Sequence, residues 1–492
     1  MLVLLGFAMI ATFMALIMTK RLTPLLALII VPTVFGLFAG AGLGIGDMVM
    51  ESVKAMSSTA ALLMFAIIYF GLMIDVGLFD KLVAGILKLV GNDPAKVVVG
   101  TAILTALISL DGDGSTTFIV VTAALLPIYQ RLGLSPVVLT CVAGLTNGTL
   151  NIVPWGGPTA RAASALGVDA SDVFLPMLPS LAVGIALCLA FAWSMGVSER
   201  RRLRRDDPFR WAPGGDVALA AGLAGGDSSG GRGKGSGPRG GAPATPAPAG
   251  SIGERARQVA VLEELRSDVE EAPSLADSAL DPNRPTLRPK LFWFNLALTV
   301  AIMATLVIDV VPLPYLFMAG SAIALLVNFP KISDQAKMVT AHSSEIIAVV
   351  SMVMAAAVLT GVLSGTGMVE AMSAWLVSVI PASMGPFLAV ITGLISIPAT
   401  FFMSNDAFYF GILPVLTETG AHYGIPAVDM ARASITGQPV HMQSPLVPAI
   451  LLLVSLSRVD LGEHHKKVLW RAVAVSVAML VVGVLVGAIG IG

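Results

Sequence analysis

Leu110-Asp111-Gly112-Asp113-Gly114-Ser115-Thr116-Thr117-Phe118 is the stretch that decides the fold. Two carboxylates, two glycines and three hydroxyls stand between the apolar runs Val97–Ser109 and Phe118–Tyr129. Each run falls short of the roughly 20 residues that a helix needs to cross a bilayer. The expectation is a helical hairpin that enters the membrane, turns at its polar tip and leaves on the same side. An irregular tip survives at that depth only where protein buries it or where it lines a watery cavity. Ionisable groups there are costly and therefore functional candidates, and Asp111 and Asp113 come first.

The totals agree with a membrane setting. Of 492 residues, 56% are hydrophobic and 12% charged, and the mean hydropathy is +0.86. A soluble chain is about a quarter charged, so the expected class is an all-α polytopic membrane protein. A net charge of −1 gives no reason to expect nucleic-acid binding. Cys141 and Cys188 lie in apolar segments and read as small core residues, not a disulfide framework. Without a basic n-region or a clear cleavage site, Leu2–Thr19 reads as a retained transmembrane helix.

Outward from the hairpin, the chain divides in three. Residues 1–198 form a first transmembrane repeat, with a hairpin tip at 110–118 and a helix break at 146–158. Residues 199–290 carry 28 of the chain's 61 Lys, Arg, Asp and Glu residues around a Gly-, Ala-, Pro- and Ser-rich middle. They read as a largely disordered cytoplasmic tether, with one solvated helix over Glu254–Glu271. Residues 291–492 form a second repeat, with a tip at 400–408 and a break at 436–448. About ten crossings result. The basic residues Lys20, Arg21, Lys81, Lys88, Arg131 and the run Arg200–Arg205 share the cytoplasmic side if both termini lie outside. Lys331, Lys337, Lys466 and Lys467 then also fall inside, and the second hairpin opens the opposite way.

One register relates the halves: Gly71 and Gly361 differ by 361 − 71 = 290 residues. The same offset carries Gly77 to Gly367, Asp80 to Glu370, Phe118 to Phe408, Pro136 to Pro426, Thr146 to Thr436 and Pro158 to Pro448. It also lays Gly114-Ser115-Thr116 on Ser404-Asn405-Asp406. Inverted repeats with interrupted helices are the plan of many secondary transporters, whose sites lie where the repeats meet. The two breaks, Thr146-Asn147-Gly148-Thr149-Leu150-Asn151 and Thr436-Gly437-Gln438-Pro439-Val440-His441, hold the glycines and proline that unwind a helix. Freed helix N-termini favour an anion, while tip oxygens suit a hard cation. Together they suggest an organic anion carried with a cation.

The segments LDGDGSTTF (110–118), NGTLNIVPWGGPTARAASALGVD (147–169) and FMALIMTKRLTPLLALI (13–29) resemble the CitMHS family, bacterial citrate–divalent-metal:proton symporters of the ion-transporter superfamily. The likeness covers nearly all of the chain outside the 199–290 loop. It implies proton-driven import of citrate complexed with a divalent ion such as Mg²⁺ or Ca²⁺. The metal would be cargo, with no other cofactor. It also implies a homodimer in the bacterial cytoplasmic membrane, with a fixed scaffold and a moving, elevator-like transport domain.

Carried over to this sequence, the resemblance makes Ser115, Thr116, Thr117, Asn147, Gly148, Thr149, Ser404, Asn405, Gly437, Gln438 and Pro439 the substrate-facing residues, and Asn151 in the first break joins them. Asp111, Asp113 and Asp406 are metal-ligand candidates, and Asp113, Asp406 and His441 are proton-coupling candidates. Arg161 is a possible contact for a citrate carboxylate, because its fork suits that geometry. Trp155 either packs over the cavity or anchors a helix near the interface. Two other readings remain open: a carrier of free dicarboxylate or gluconate driven by Na⁺ or H⁺, and an intramembrane metal enzyme using Asp111 and Asp113. No second acidic motif accompanies that pair, so a carrier is expected and an enzyme is not.

Overall fold

The computed structural model describes residues 1–19, 21–91, 93–112, 114–206 and 284–492. Asp113, most of the tether and the helix expected over Glu254–Glu271 lie outside the described residues. Two units are distinguished, Met1–Glu199 with Leu275–Gly492, and Arg200–Ser274. The first half holds α1 (Leu2–Met18), α2 (Pro24–Phe38), α3 (Ile45–Asp75), α4 (Leu78–Val90), α5 (Pro94–Ile108), α6 (Gly114–Leu132), α7 (Pro136–Leu150), α8 (Gly157–Leu166), α9 (Ala170–Phe174) and α10 (Leu178–Asp206). The second holds α11 (Phe292–Ile308), α12 (Leu313–Asn328), α13 (Ile332–Ala341), α14 (Ser343–Gly365), α15 (Met368–Val379) and α16 (Leu388–Phe402). A π-helical turn, Ala407–Ile412, then runs into α17 (Leu413–Ala421), followed by α18 (Ala427–Ser434), α19 (Gln438–His441), α20 (Pro448–Leu456) and α21 (Leu461–Leu485).

The 290-residue register is a structural one. Shifted by it, α11 takes the bounds of α1, α14 ends with α3 at Asp75, and α15 begins with α4 at Leu78. The matched residues have matched work. Gly77 and Gly367 precede α4 and α15 at φ 82° and 74°, a left-handed conformation open to glycine. Asp80 and Glu370 stand in the first turns of those helices, where an acid complements the helix dipole. Gly71 and Gly361 mark the crossing of α3 and α14: a Cβ at Gly361 would lie 2.6 Å from the Met48 carbonyl oxygen, and one at Gly71 2.6 Å from the His342 ring.

Those approaches also fix direction. The start of α3 meets the end of α14, and the end of α3 meets the start of α14, so these equivalent helices run antiparallel. The halves interleave as well, since α2 packs on α14 and its counterpart α12 packs on α3. The Ser321 hydroxyl on α12 donates to the Phe65 carbonyl on α3 at 3.1 Å.

Among the described residues, seven helical stretches are long and apolar enough to cross a membrane. Two of them, Pro94–Asp111 and Gly385–Phe402, are first arms of the hairpins, 18 residues each. The first arm is longer than the apolar run suggests because the Asp93 carboxylate caps it, accepting the Ala95 N–H at 2.8 Å, and Pro94 opens its first turn. A 3₁₀ turn, Ser109–Asp111, prolongs it at the other end. Length therefore does not separate a hairpin arm from a crossing; what the tip meets is more informative.

Candidate functional site

The two broken helices cross at their breaks. A Cβ on Gly148 would lie 3.1 Å from Pro439 Cα and 3.2 Å from the Gln438 carbonyl oxygen. Shifted by 290, Gly148 falls on Gln438, so a residue touches its own counterpart and the pseudo-two-fold axis passes here. Gly144 faces Gln443 while Asn151 reaches Gln438, which makes this crossing antiparallel too.

Both tips close on that crossing. From the first, Ser109 Oγ accepts from Asn147 Nδ2 at 2.9 Å. From the second, Asn405 and Gln438 exchange amide hydrogen bonds at 3.3 and 3.5 Å. Gln438 Nε2 also donates to Tyr409 Oη at 2.9 Å, and its Oε1 accepts from Asn151 Nδ2 at 3.3 Å. Gln438 thus joins the second tip to both breaks. Buried amides need such partners, because each orphaned group costs about 1–3 kcal/mol.

A second link is ionic. Arg161 Nε, on α8 just after the first break, lies 2.6 Å from Asp406 Oδ1 at the second tip. Arg161 also borders a cavity of about 460 Å³ enclosed by α3, α14, the first tip and the start of α8. Asp111, Ser115, Trp155 and Glu345 face the same space. Trp155 packs over it, as one of its two expected roles had it. Its Nε1 donates to the Leu110 carbonyl at 2.8 Å, and its ring meets Phe70 and Phe317 at 5.2 and 5.0 Å.

The candidates divide accordingly. Ser115 and Asp111 face the cavity, and Asn147, Gly148, Asn151, Asn405, Gln438 and Pro439 form the crossing. Thr116 and Thr117 are buried within the first tip. Thr149 is spent locally, on the Leu145 carbonyl at 2.8 Å and on Cys188 at 3.3 Å. Ser404 caps the turn after it, accepting the Ala407 N–H at 3.2 Å, and Gly437 lets the second break sit against Ser396. His441 donates through Nδ1 to the Thr400 carbonyl at 2.6 Å. Asp406 holds Arg161, and among the described residues no three His, Cys, Asp or Glu side chains are grouped as a metal cage would be.

Sequence reasoning missed Tyr409 and a buried pair, His342 with Asp75. Tyr409 hides in an apolar run, Ala407–Phe410. Asp75 looks interfacial in sequence because it ends a helix, yet it is 3% exposed and lies 3.0 Å from His342 Nε2. A lone acid closing an apolar run, with a lone histidine opening the equivalent run, is the signal that was available.

Two antiparallel, structurally equivalent halves whose helix breaks and polar tips meet beside a cavity define an inverted-repeat transport protein of the membrane. The comparisons make the class specific. A family model described as "Citrate transporter" (CitMHS) matches residues 3–437. A Bacillus subtilis (strain 168) protein named "Citrate transporter" is 44% identical over 489 residues, 99% of this chain and 100% of its own length. Another from the same organism, named "Mg(2+)/citrate complex secondary transporter", is 43% identical over 492 residues and all of both chains. Among solved structures, the YdaH transporter of Alcanivorax borkumensis aligns with a TM-score of 0.45 at 12% identity, covering 91% of this chain and 90% of that one. The chain belongs to the citrate transporter family, and it is a multi-pass membrane transporter rather than an enzyme.

Proposed function

We propose that the protein imports citrate as its complex with a divalent metal ion, driven by proton symport across the bacterial cytoplasmic membrane. The observation that carries this reading is the charge on the cavity wall. Asp111 and Glu345 face the space with Arg161, and that guanidinium is already bound to Asp406. A citrate trianion would meet two carboxylates there and an arginine that another carboxylate holds. The metal complex carries a net charge of only about −1, and its cation suits nearby carboxylate oxygens. Asp111, facing the cavity, is the described carboxylate best placed to meet the metal. The space lies within the range of about 300–1,000 Å³ usual for small-molecule sites. The B. subtilis relative named for the Mg²⁺–citrate complex supports the same cargo.

In this reading the hairpins are re-entrant. They move with the breaks, α8 and α20 against a scaffold of α2, α3, α12 and α14, in an elevator-like cycle. The cavity at the seam between those groups of helices supports that division. A homodimer belongs to the same proposal, supported by the family resemblance. The test is uptake of labelled citrate into proteoliposomes under an inward proton gradient, metal by metal. Uptake should fall to background with excess EDTA or with a protonophore. Uptake undiminished by EDTA would overturn the assignment.

A further inference from the structure

We propose that the coupled proton is held by a relay, the buried pair Asp75–His342 with the partly exposed Glu345, at the seam between the two halves, a role that rests on the proton-driven reading above. Asp75 closes α3 and His342 immediately precedes α14, so the pair joins two equivalent helices across 267 residues of sequence. Oδ2 and Nε2 are 3.0 Å apart, with side-chain exposures of 5% and 2%. The imidazole fits there because α3 offers Gly71, where a Cβ would lie 2.6 Å from His342 Cε1. With Nε2–H donated to the carboxylate, Nδ1 is left as the basic nitrogen. It is buried with no hydrogen-bond partner among the described residues and lies 3.9 Å from Glu345 Oε2. Glu345 borders the cargo cavity, as do Gly71 and Ile74. A proton path therefore runs from the cavity through Glu345 to His342 and Asp75.

The duplication supplies an independent argument. At the 290-residue offset Asp75 corresponds to Gly365, His342 to Ser52 and Glu345 to Ala55. The helix crossing is repeated at both ends of the seam, but these three ionisable groups occur at one end only. Packing alone does not require them, since the other end packs without them. An asymmetric proton site in a symmetric frame is what a carrier needs to distinguish its two sides.

Other charged groups among the described residues stand near the pair. Arg284 grips the end of α3, donating to the Asp75 carbonyl at 3.0 Å and the Ile74 carbonyl at 2.8 Å, and pairs with Asp80 of α4 at 3.0 Å. Thr286 Oγ1 also donates to the Asp75 carbonyl, at 3.0 Å. Across the cavity stand Asp111 and Arg161. A proton delivered to Nδ1 turns the neutral ring into an imidazolium between two carboxylates and removes one negative charge from beside the cavity. An anionic cargo then binds more tightly, and by reciprocity the bound cargo strengthens proton binding by the same factor.

The test uses His342→Gln in proteoliposomes. Glutamine keeps a donor for Asp75 but cannot take up a proton. Proton-gradient-driven Mg²⁺–citrate accumulation is expected to fall at least about tenfold and cargo-linked proton influx to vanish. Mg²⁺–citrate counterflow, which needs no net proton movement, should slow by a few-fold only. Unchanged accumulation with unchanged proton influx would overturn the relay. Should that variant show no counterflow, Glu345→Gln decides. Its proton-gradient-driven accumulation should also fall at least about tenfold, because the link from the cavity to the imidazole is cut, and unchanged accumulation with unchanged proton influx overturns the relay. Failure of the underlying reading looks different: the unaltered protein would itself lack counterflow, or would accumulate citrate without regard to the proton gradient.

Discussion

Arg161→Gln and Asp406→Asn are expected to shift cargo binding in opposite directions. The two groups meet at 2.6 Å with side chains 27% and 11% exposed. Such a pair lies between an exposed one, worth up to about 1 kcal/mol, and a buried one, whose breaking costs about 3–5 kcal/mol. The cargo feels whichever charge is left behind. A unit charge about 7 Å away, at an effective dielectric near 20, is worth about 2 kcal/mol, or roughly 30-fold in Kd. Arg161→Gln leaves Asp406 as an extra anion, so Mg²⁺–citrate should bind about 30-fold more weakly. Asp406→Asn leaves the guanidinium to a citrate carboxylate, so free citrate should gain affinity by a similar factor and the need for metal should relax. The double variant should return to within about threefold of the unaltered protein, since the two changes offset each other. Calorimetry on detergent-solubilised protein, titrated with citrate in the presence and absence of Mg²⁺, measures all four affinities. If the pair is only a brace, both single variants weaken binding and Asp406→Asn keeps its full metal dependence. That outcome refutes the electrostatic reasoning.

Gly148→Val should lower transport by at least about tenfold while the protein still inserts, because its side chain would wedge apart two backbones at a cost of about 1–3 kcal/mol or more; uptake normalised to inserted protein measures it. Gly367→Ala should cost about 1 kcal/mol of stability from its left-handed backbone alone. Gly77→Ala should cost more, since its Cβ would also lie 2.6 Å from Leu287 Cδ2; thermal denaturation in detergent ranks the two, and equal losses would contradict the packing argument. Single cysteines replacing Gln130 and His422, exposed beyond the two hairpins, should label from opposite sides of the membrane. Buried Cys141 and Cys188 keep the background low. Labelling of both from one side would refute the opposed hairpins.

Backbone punctuation was legible in the sequence. Glycines that permit left-handed turns or close helix crossings, and prolines that open helices, each leave a mark at one position. The shared offset collects those marks into a duplication. Partners far apart in the chain left no such mark. Arg161 and Asp406 are separated by 245 residues, and Asp75 and His342 by 267. Each of the four reads locally as an isolated charge. Hydroxyls were ambiguous for a different reason: Ser115 faces the cavity whereas Ser404 caps a turn, and both chemistries suit a serine in a polar tip.

The interleaving of the halves has a consequence for how the molecule is made. With α2 laid on α14 and α12 on α3, the apolar seams of each half are covered by segments of the other. A ribosome that has just finished Asp206 has therefore delivered a product whose partner surfaces are unwritten. The 286 residues still to come (492 − 206) need roughly 15–60 s at the usual ~5–20 residues per second. For that interval the nascent first half must be sheltered in the bilayer, its polar elbow without the counterpart that will enclose it.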